Sequence, residues 1–222
     1  MAKPQVVIIG ASGHGRVVAD AIASVGIMEL VGWLDPGFAK GTLIHDRPVL
    51  GSEEDLSMLI PEYALTGCFI AVGDNWKRAR LTNEIAQKHT TLKLVSIIHN
   101  SAIVSPYAQI GAGSVIMAGA VVQANTVVGR GVIINTRASV DHDCQLENFC
   151  SIGPGATLGG NCQIGQYSAI GLGANLLHGI SVGENSVVGG GALVNKPIEA
   201  NTTAVGVPAK VIASRKPEQG YL

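Results

Sequence analysis

The chain has 222 residues, 47% of them hydrophobic and only 14% charged, with a formal net charge of −1, a balance without the basic field that nucleic acid or an anionic membrane requires. Glycines and polar residues interrupt every apolar run before the roughly 18 residues of a membrane span, and four cysteines without a CxxC spacing argue against a disulfide framework or a zinc site. The N-terminal MAKPQVVIIGASG has neither the parts nor the cleavage site of a secretory signal, so a cytoplasmic protein is expected, with small molecules or copies of itself as partners.

In chain order, residues 1–95 alternate between strand and helix patterns: VVIIG, a helical stretch from Gly15 to about Ser24, LVGWLD, a helical EEDLSMLI, the strand CFIAVG, and a helix near 76–89. That alternation predicts a small Rossmann-like α/β domain with a parallel sheet and crossover helices. GASGHG (Gly10–Gly15) lies between the first strand and its helix, where backbone amides and a helix N-terminus suit a phosphate or a ring system. Its glycine spacing is GxxGxG, so the dinucleotide fingerprint is not met. Gly13 and His14 are candidate ligand contacts in that loop. Asp35 ends the second strand and Gly73, Asp74 and Asn75 follow the third, placing polar groups at the carboxyl edge where open α/β sheets bind ligands.

After Val95 the pattern changes. Every sixth residue from Ile98 is aliphatic, through Val104, Ile110 and Ile116 to Val188 and Val194, seventeen positions without a break. Against ordinary composition such a run is a coincidence on the order of one in 10⁸. A second, mostly small set stands four residues after each anchor, as in Ala120, Ala138, Cys144 and Ala156. Hexapeptide repeats of this kind predict a solenoid of short parallel strands, three hexads to a coil. Small residues are expected inside the prism, large ones outside, with the glycines that follow many anchors supplying its tight corners. The segment after Val194, with Pro197 and Pro208, reads as a C-terminal cap, which gives domains at 1–95 and 96–222.

Within the solenoid only His142 is flanked by acids, Asp141 and Asp143, two residues past the anchor Val140 and therefore near a corner. An imidazole beside a carboxylate is suited to accept a proton near neutral pH. Neither His45, His89, His99 nor His178 is assigned catalysis, and no histidine pair suggests a metal centre, so no metal is expected. Cys144, Cys150 and Cys162 occupy small inward positions and read as core filler rather than acyl carriers.

With these residues in hand, the chain resembles the bacterial sugar O-acyl- and N-acetyltransferases of the sialic-acid and bacillosamine type. GASGHG, Asp35, AVGDN with Arg78, IHNSAIVSPYAQIGAG, INTRASVDHDC, GGN and GVPAK carry the resemblance over nearly the whole length. It implies a left-handed β-helix, a homotrimer with acetyl-CoA in the clefts between copies, and an α/β domain that holds the nucleotide of a nucleotide-linked amino sugar. By the same resemblance His142 is the base and Asp143 its support, where several relatives have the longer Glu. Gly13, His14, Asp35, Gly73, Asn75, Arg78 and Asn135 would face the sugar nucleotide. Gly160 and Gly190 would meet the pantetheine, and Pro208, Ala209 and Lys210 the nucleotide end of the coenzyme. Relatives carry a histidine at the position of Ser151. The implied activity is N-acetylation of the 4-amino group of a UDP-, GDP- or dTDP-linked 4-amino-4,6-dideoxy sugar, a step of bacterial surface glycan (lipopolysaccharide) biosynthesis. A hydroxyl acceptor of the sialic-acid type, or a non-catalytic nucleotide-sugar-binding partner, remain the alternatives.

Overall fold

The computed structural model describes residues 2–221. Its first part runs β1 (Gln5–Ile9), α1 (Gly13–Val25), β2 (Glu29–Leu34), β3 (Leu43–Ile44), β4 (Arg47–Gly51), α2 (Leu56–Glu62), β5 (Leu65–Ile70), α3 (Asn75–Lys88) and β6 (Lys93–Leu94). The six strands form one sheet in the order β3-β4-β2-β1-β5-β6, parallel except for the β3–β4 hairpin. That hairpin is not among the sequence expectations. Its turn places His45 and Asp46 at φ 47° and 59°, a left-handed pair without the Asn-Gly or Gly-Gly signature that marks such turns. Tertiary packing supports it, since the buried Trp33 indole donates to the Ile44 carbonyl at 2.9 Å.

Helix α1 begins at Gly13, two residues earlier than the sequence reading, because the loop glycines are needed for contact rather than for a longer loop. A methyl on Gly15 would stand 2.1 Å from the Gly10 carbonyl oxygen, and Gly10 itself is at φ 102°.

From Ile97 to Val194 the chain makes seventeen two-residue strands, β7 to β23, and each one that precedes the last coil pairs in parallel with the strand eighteen residues on, as Val115 with Ile133 and Ser139 with Thr157. Three hexads therefore make one coil of a left-handed parallel β-helix with three flat faces. The first face carries Ile97, Val115, Ile133, Ser151, Ala169 and Val187 on successive coils and continues through β24 (Thr202–Val205) into the antiparallel β25 (Lys210–Ser214). That hairpin covers the last coil of the first face.

Two expectations about the prism are corrected. The aliphatic anchors do not stand outside: from Ile116 to Val194 every one is at most 3% exposed, and the small set is buried beside them, so both point inward. Only the first coil departs, with Ile98 37% exposed, because no coil stacks above it. Nor do the glycines after the anchors make the corners. A methyl on Gly111 would stand 2.5 Å from the Gly129 carbonyl, and one on Gly153 2.7 Å from the Ile170 oxygen, so these positions are kept bare by the approach of the next coil. The left-handed corner residue comes two positions later. It is glycine in some hexads, but Asn125, Arg137, Asp143, Phe149, Asn161, Tyr167 and Asn185 hold it at φ from 52° to 63°.

The α/β part sits on the first face of the helix. Ile97, Val115, Met117 and Ile133 turn outward from the solenoid and join Val18, Ile22 and Trp33 in one continuous core. The two parts thus share buried apolar surface, which fixes the carboxyl edge of the sheet above the solenoid wall.

Candidate active site

His142 lies on the corner between the second and third faces, between Ser139–Val140 and Gln145–Leu146. Its side chain is 48% exposed, and its Nδ1 stands 2.7 Å from Asp143 Oδ2. The left-handed backbone of Asp143, φ 58°, is what turns this carboxylate back onto the neighbouring ring; aspartate tolerates that conformation better than most side chains. Asn125 Nδ2, one coil earlier in the same corner column, donates to the other carboxylate oxygen at 3.1 Å. Asp141 Oδ1 accepts from the His142 amide at 2.8 Å. The Asp143 bond raises the histidine's pKa above its ordinary value, with partial burial opposing it and the charges of Asp141 and Asp143 adding to it. Asp143 is correspondingly held below the usual carboxylate range, first by His142 and then by Asn125.

With Nδ1 held by the carboxylate, Nε2 is the free nitrogen and has room to work. One coil on, Gly160 lies against the ring: a methyl there would stand 2.6 Å from both Cε1 and Nε2. His178, two coils on, has its ring centroid 6.1 Å from that of His142. The buried Cys144 thiol next door donates to the Gly159 carbonyl at 3.3 Å and points into the core, which leaves no nucleophile there for an acyl-cysteine. Cys150 is likewise pushed up to about 12 by burial.

A second place gathers other expected residues. A groove of about 440 Å³ runs between the carboxyl edge of the sheet and the first face of the helix, and His14, Gly73, Asn135 and Gly190 line it. His14 Nε2 is buried there without a hydrogen-bond partner. Its pKa is held down to about 4 by burial, with the Arg78 charge adding to it, so the ring is neutral at physiological pH. Asn135 spends its carbonyl oxygen on the Thr136 amide at 2.8 Å. Gly13 opens α1 with nothing within 4 Å of its missing side chain, so the helix N-terminus faces free space.

Asn75 and Arg78 do not face a ligand. Arg78 is 1% exposed and Asn75 fully buried, and their donors are spent on the solenoid and on the loop that carries them. The guanidinium donates to the Gly131, Phe149, Val72 and Gly73 carbonyls and to Asn75 Oδ1, while Asn75 Nδ2 donates to the Tyr167 and Ser168 carbonyls at 3.0 and 3.1 Å. Gly131, Phe149 and Tyr167 are one corner column, eighteen residues apart. The left-handed turn there points carbonyls outward, and α3 plugs them; the two residues fasten the domains together. Asp35 is a loop brace, accepting from the Ala11 amide at 2.8 Å and the Gly37 amide at 2.9 Å. Of the expected coenzyme contacts, Ala209 is tied by its amide to the Leu193 carbonyl at 2.8 Å, while Pro208 and Lys210 stand exposed on the last coil, the lysine free to meet a phosphate.

Ser151, noted in sequence only as the position where relatives carry a histidine, also lines the groove, as does Tyr221, which nothing in the sequence marks as a site residue. Tyr221 lies outside the repeat, so no periodicity marks it. His178 shares the column of His142, and counting thirty-six residues along the repeat would have found it.

The architecture and the histidine edge together define a hexapeptide-repeat acyltransferase carrying an α/β domain. Residues 5–85 match the PglD N-terminal domain, and residues 125–160 match the bacterial transferase hexapeptide (six repeats). The fold superposes on a histidine-to-alanine variant of GDP-perosamine N-acetyltransferase from Caulobacter crescentus in complex with CoA and GDP-perosamine, with TM-score 0.90, 35% identity, and 96% of this chain and 99% of that one covered. It matches the acetyltransferase domain of PglB from Neisseria gonorrhoeae in complex with acetyl coenzyme A at TM-score 0.88 and 42% identity, covering 95% of this chain and 100% of that one. UDP-N-acetylbacillosamine N-acetyltransferase of Bacillus subtilis is 36% identical over 113 residues, a match that spans half of this chain and half of that protein. The chain belongs to this family of hexapeptide-repeat nucleotide-sugar N-acetyltransferases. Among the described residues no helix is long and apolar enough to cross a membrane, and no group of three or more His, Cys, Asp or Glu could hold a metal ion.

Proposed function

We propose that the chain transfers the acetyl group of acetyl-CoA to the 4-amino group of a nucleotide-linked 4-amino-4,6-dideoxy sugar, in the cytoplasm, with His142 as general base. The observation that carries this reading is the 2.7 Å contact of His142 Nδ1 with Asp143, which leaves Nε2 free over the bare backbone of Gly160. The neutral amine attacks the thioester carbonyl, the new C–N bond forms as the C–S bond breaks, and the amine proton passes to Nε2 and on to the departing thiolate. Asp143 holds the tautomer and stabilises the imidazolium while it exists. Gly160 and Gly190 would lie along the pantetheine, where a side chain on Gly160 would collide with the ring.

The base and the acceptor groove stand on different edges of one chain. A second copy that brings its His142 edge to the groove completes the site, and this supports a homotrimer of helices. Leu172, 65% exposed in the groove, and Leu177, 50% exposed beside His178, offer apolar contact on both edges. Among UDP, GDP and dTDP we favour UDP, on the match to the bacillosamine enzyme.

The test is acetyl-CoA consumption by purified protein against UDP-, GDP- and dTDP-linked 4-amino-4,6-dideoxy sugars, with His142→Asn in parallel. Turnover of one amino sugar that collapses in the variant is the expected result. Inert amino sugars under conditions where a sugar hydroxyl is acetylated would overturn the amine assignment.

A further inference from the structure

The C-terminal segment returns from the cap to the α/β domain and brings Tyr221 to the groove. Arg215 Nε donates to the Asn185 carbonyl at 3.1 Å and its guanidinium also holds the Gln219 carbonyl. Asn185 Nδ2 in turn donates to the Lys216 carbonyl at 3.1 Å, and the Lys216 amide donates to Gln219 Oε1 at 3.0 Å. These bonds fasten the segment independently of Tyr221, whose side chain lines the groove.

There the Tyr221 hydroxyl donates to the Gly73 carbonyl at 2.9 Å, at the carboxyl end of the sheet. Its single proton is thereby committed, so at the 3.1 Å contact with Ser151 the serine hydroxyl is the donor. The phenol oxygen keeps one lone pair, held at a fixed place by two neighbours on two different domains. His14 Nε2, in the same groove, is the buried polar atom without a partner. A neutral imidazole and a phenol oxygen are together satisfied by a group that both donates and accepts, such as a sugar hydroxyl or amine. An unmet buried polar atom is costly, so the groove favours an occupant that meets it.

We propose that Tyr221 is a positioning residue for the acceptor: it lines the groove from the C-terminal segment, bridges Gly73 and Ser151, and presents its oxygen, in the groove that His14 also lines, to a hydroxyl or amine of the sugar. The inference rests on the reading under Proposed function and deepens it, since it names a wall of the acceptor site that the repeat does not supply.

The experiment is steady-state kinetics of Tyr221→Phe on the preferred nucleotide sugar, which removes one oxygen and keeps the ring. The expected result is a KM for the sugar nucleotide raised about five- to tenfold, the scale of one hydrogen bond lost at a bound ligand. The KM for acetyl-CoA should stay within about twofold and the melting temperature within a degree or two. Ser151→Ala, which leaves the phenol on Gly73, should raise the same KM by less. Unchanged KM values in Tyr221→Phe overturn the proposal, as does a parallel rise of both, which would mark a structural role. If the unmodified protein turns over no amino sugar, the underlying reading falls and this inference with it; if it does and Tyr221→Phe matches it, this inference alone falls.

Discussion

At the His142 edge the partners come from the base's own hexad or its corner column: Asp141 and Asp143 beside it, Asn125 one coil before, Gly160 and His178 one and two coils after. The groove under the α/β domain is drawn instead from residues 14, 73, 135, 151 and 221, three of them outside the repeat altogether. A column in a solenoid is maintained by its ladder, so chemistry placed on it inherits the rigidity of the coils. The groove is only as precise as the docking of two domains, which rests on their shared apolar core and on the buried donors of Arg78 and Asn75.

The largest expected effect sharpens the first half of this comparison. His142→Ala should lower kcat by about 10²- to 10⁴-fold, the usual worth of a positioned base, with melting unchanged because the ring is half exposed and holds nothing up. Steady-state kinetics beside a thermal melt checks both parts.

The next breaks the second half. Arg78→Ala leaves a buried set of carbonyls without donors, and we expect a loss of at least about 3 kcal/mol in denaturant unfolding. The α/β part should then melt before the solenoid, and a single coincident transition of unchanged midpoint would show that the domains do not depend on this plug.

Gly160→Ala tests the edge through geometry alone. Its new methyl must displace the His142 ring, and a shift on the order of 1 Å at the base costs about 10²-fold in kcat. Gly190→Ala serves as the contrast, since its nearest neighbour, the Leu172 carbonyl oxygen, is 3.3 Å away and the fold should accept it.

The smallest effect concerns pH. The base works only when neutral, so kcat/KM falls as pH drops through the histidine's pKa, which Asp143 holds above the ordinary value. The acid limb should therefore lie above that value and move to lower pH in Asp143→Asn, a side chain that keeps the left-handed corner. Asp141 and His178 also face the ring and stay in place, so an unmoved limb would give the shift to them rather than to Asp143.

Much of the site edge was legible because its neighbours in space are neighbours in the repeat. His142 and its neighbouring acids are legible from their place just past the anchor Val140, whereas Gly160 enters only through the family resemblance, and its place one coil after His142 follows from the repeat. Asn75 stands out in sequence as a polar group at the carboxyl edge of the sheet and Arg78 through the resemblance; only the packed structure shows both buried, bonded to solenoid carbonyls and to each other. Tyr221 was passed over, since a tyrosine beyond the last repeat has no period to mark it.

The six-residue period by itself determined the solenoid, its three-hexad coil and the corner on which the base stands, because each strand pairs with its own repeat and the register follows from counting. The strand and helix alternation likewise determined the class of the first domain. Tertiary structure alone decided which glycines are bare for close approach and which residues take the left-handed corner. It also decided that the domains join through a shared apolar core and a buried arginine, and that the C-terminal segment brings Tyr221 to the groove. Those outcomes depend on contacts between segments far apart in the chain, and no local periodicity encodes where such segments meet.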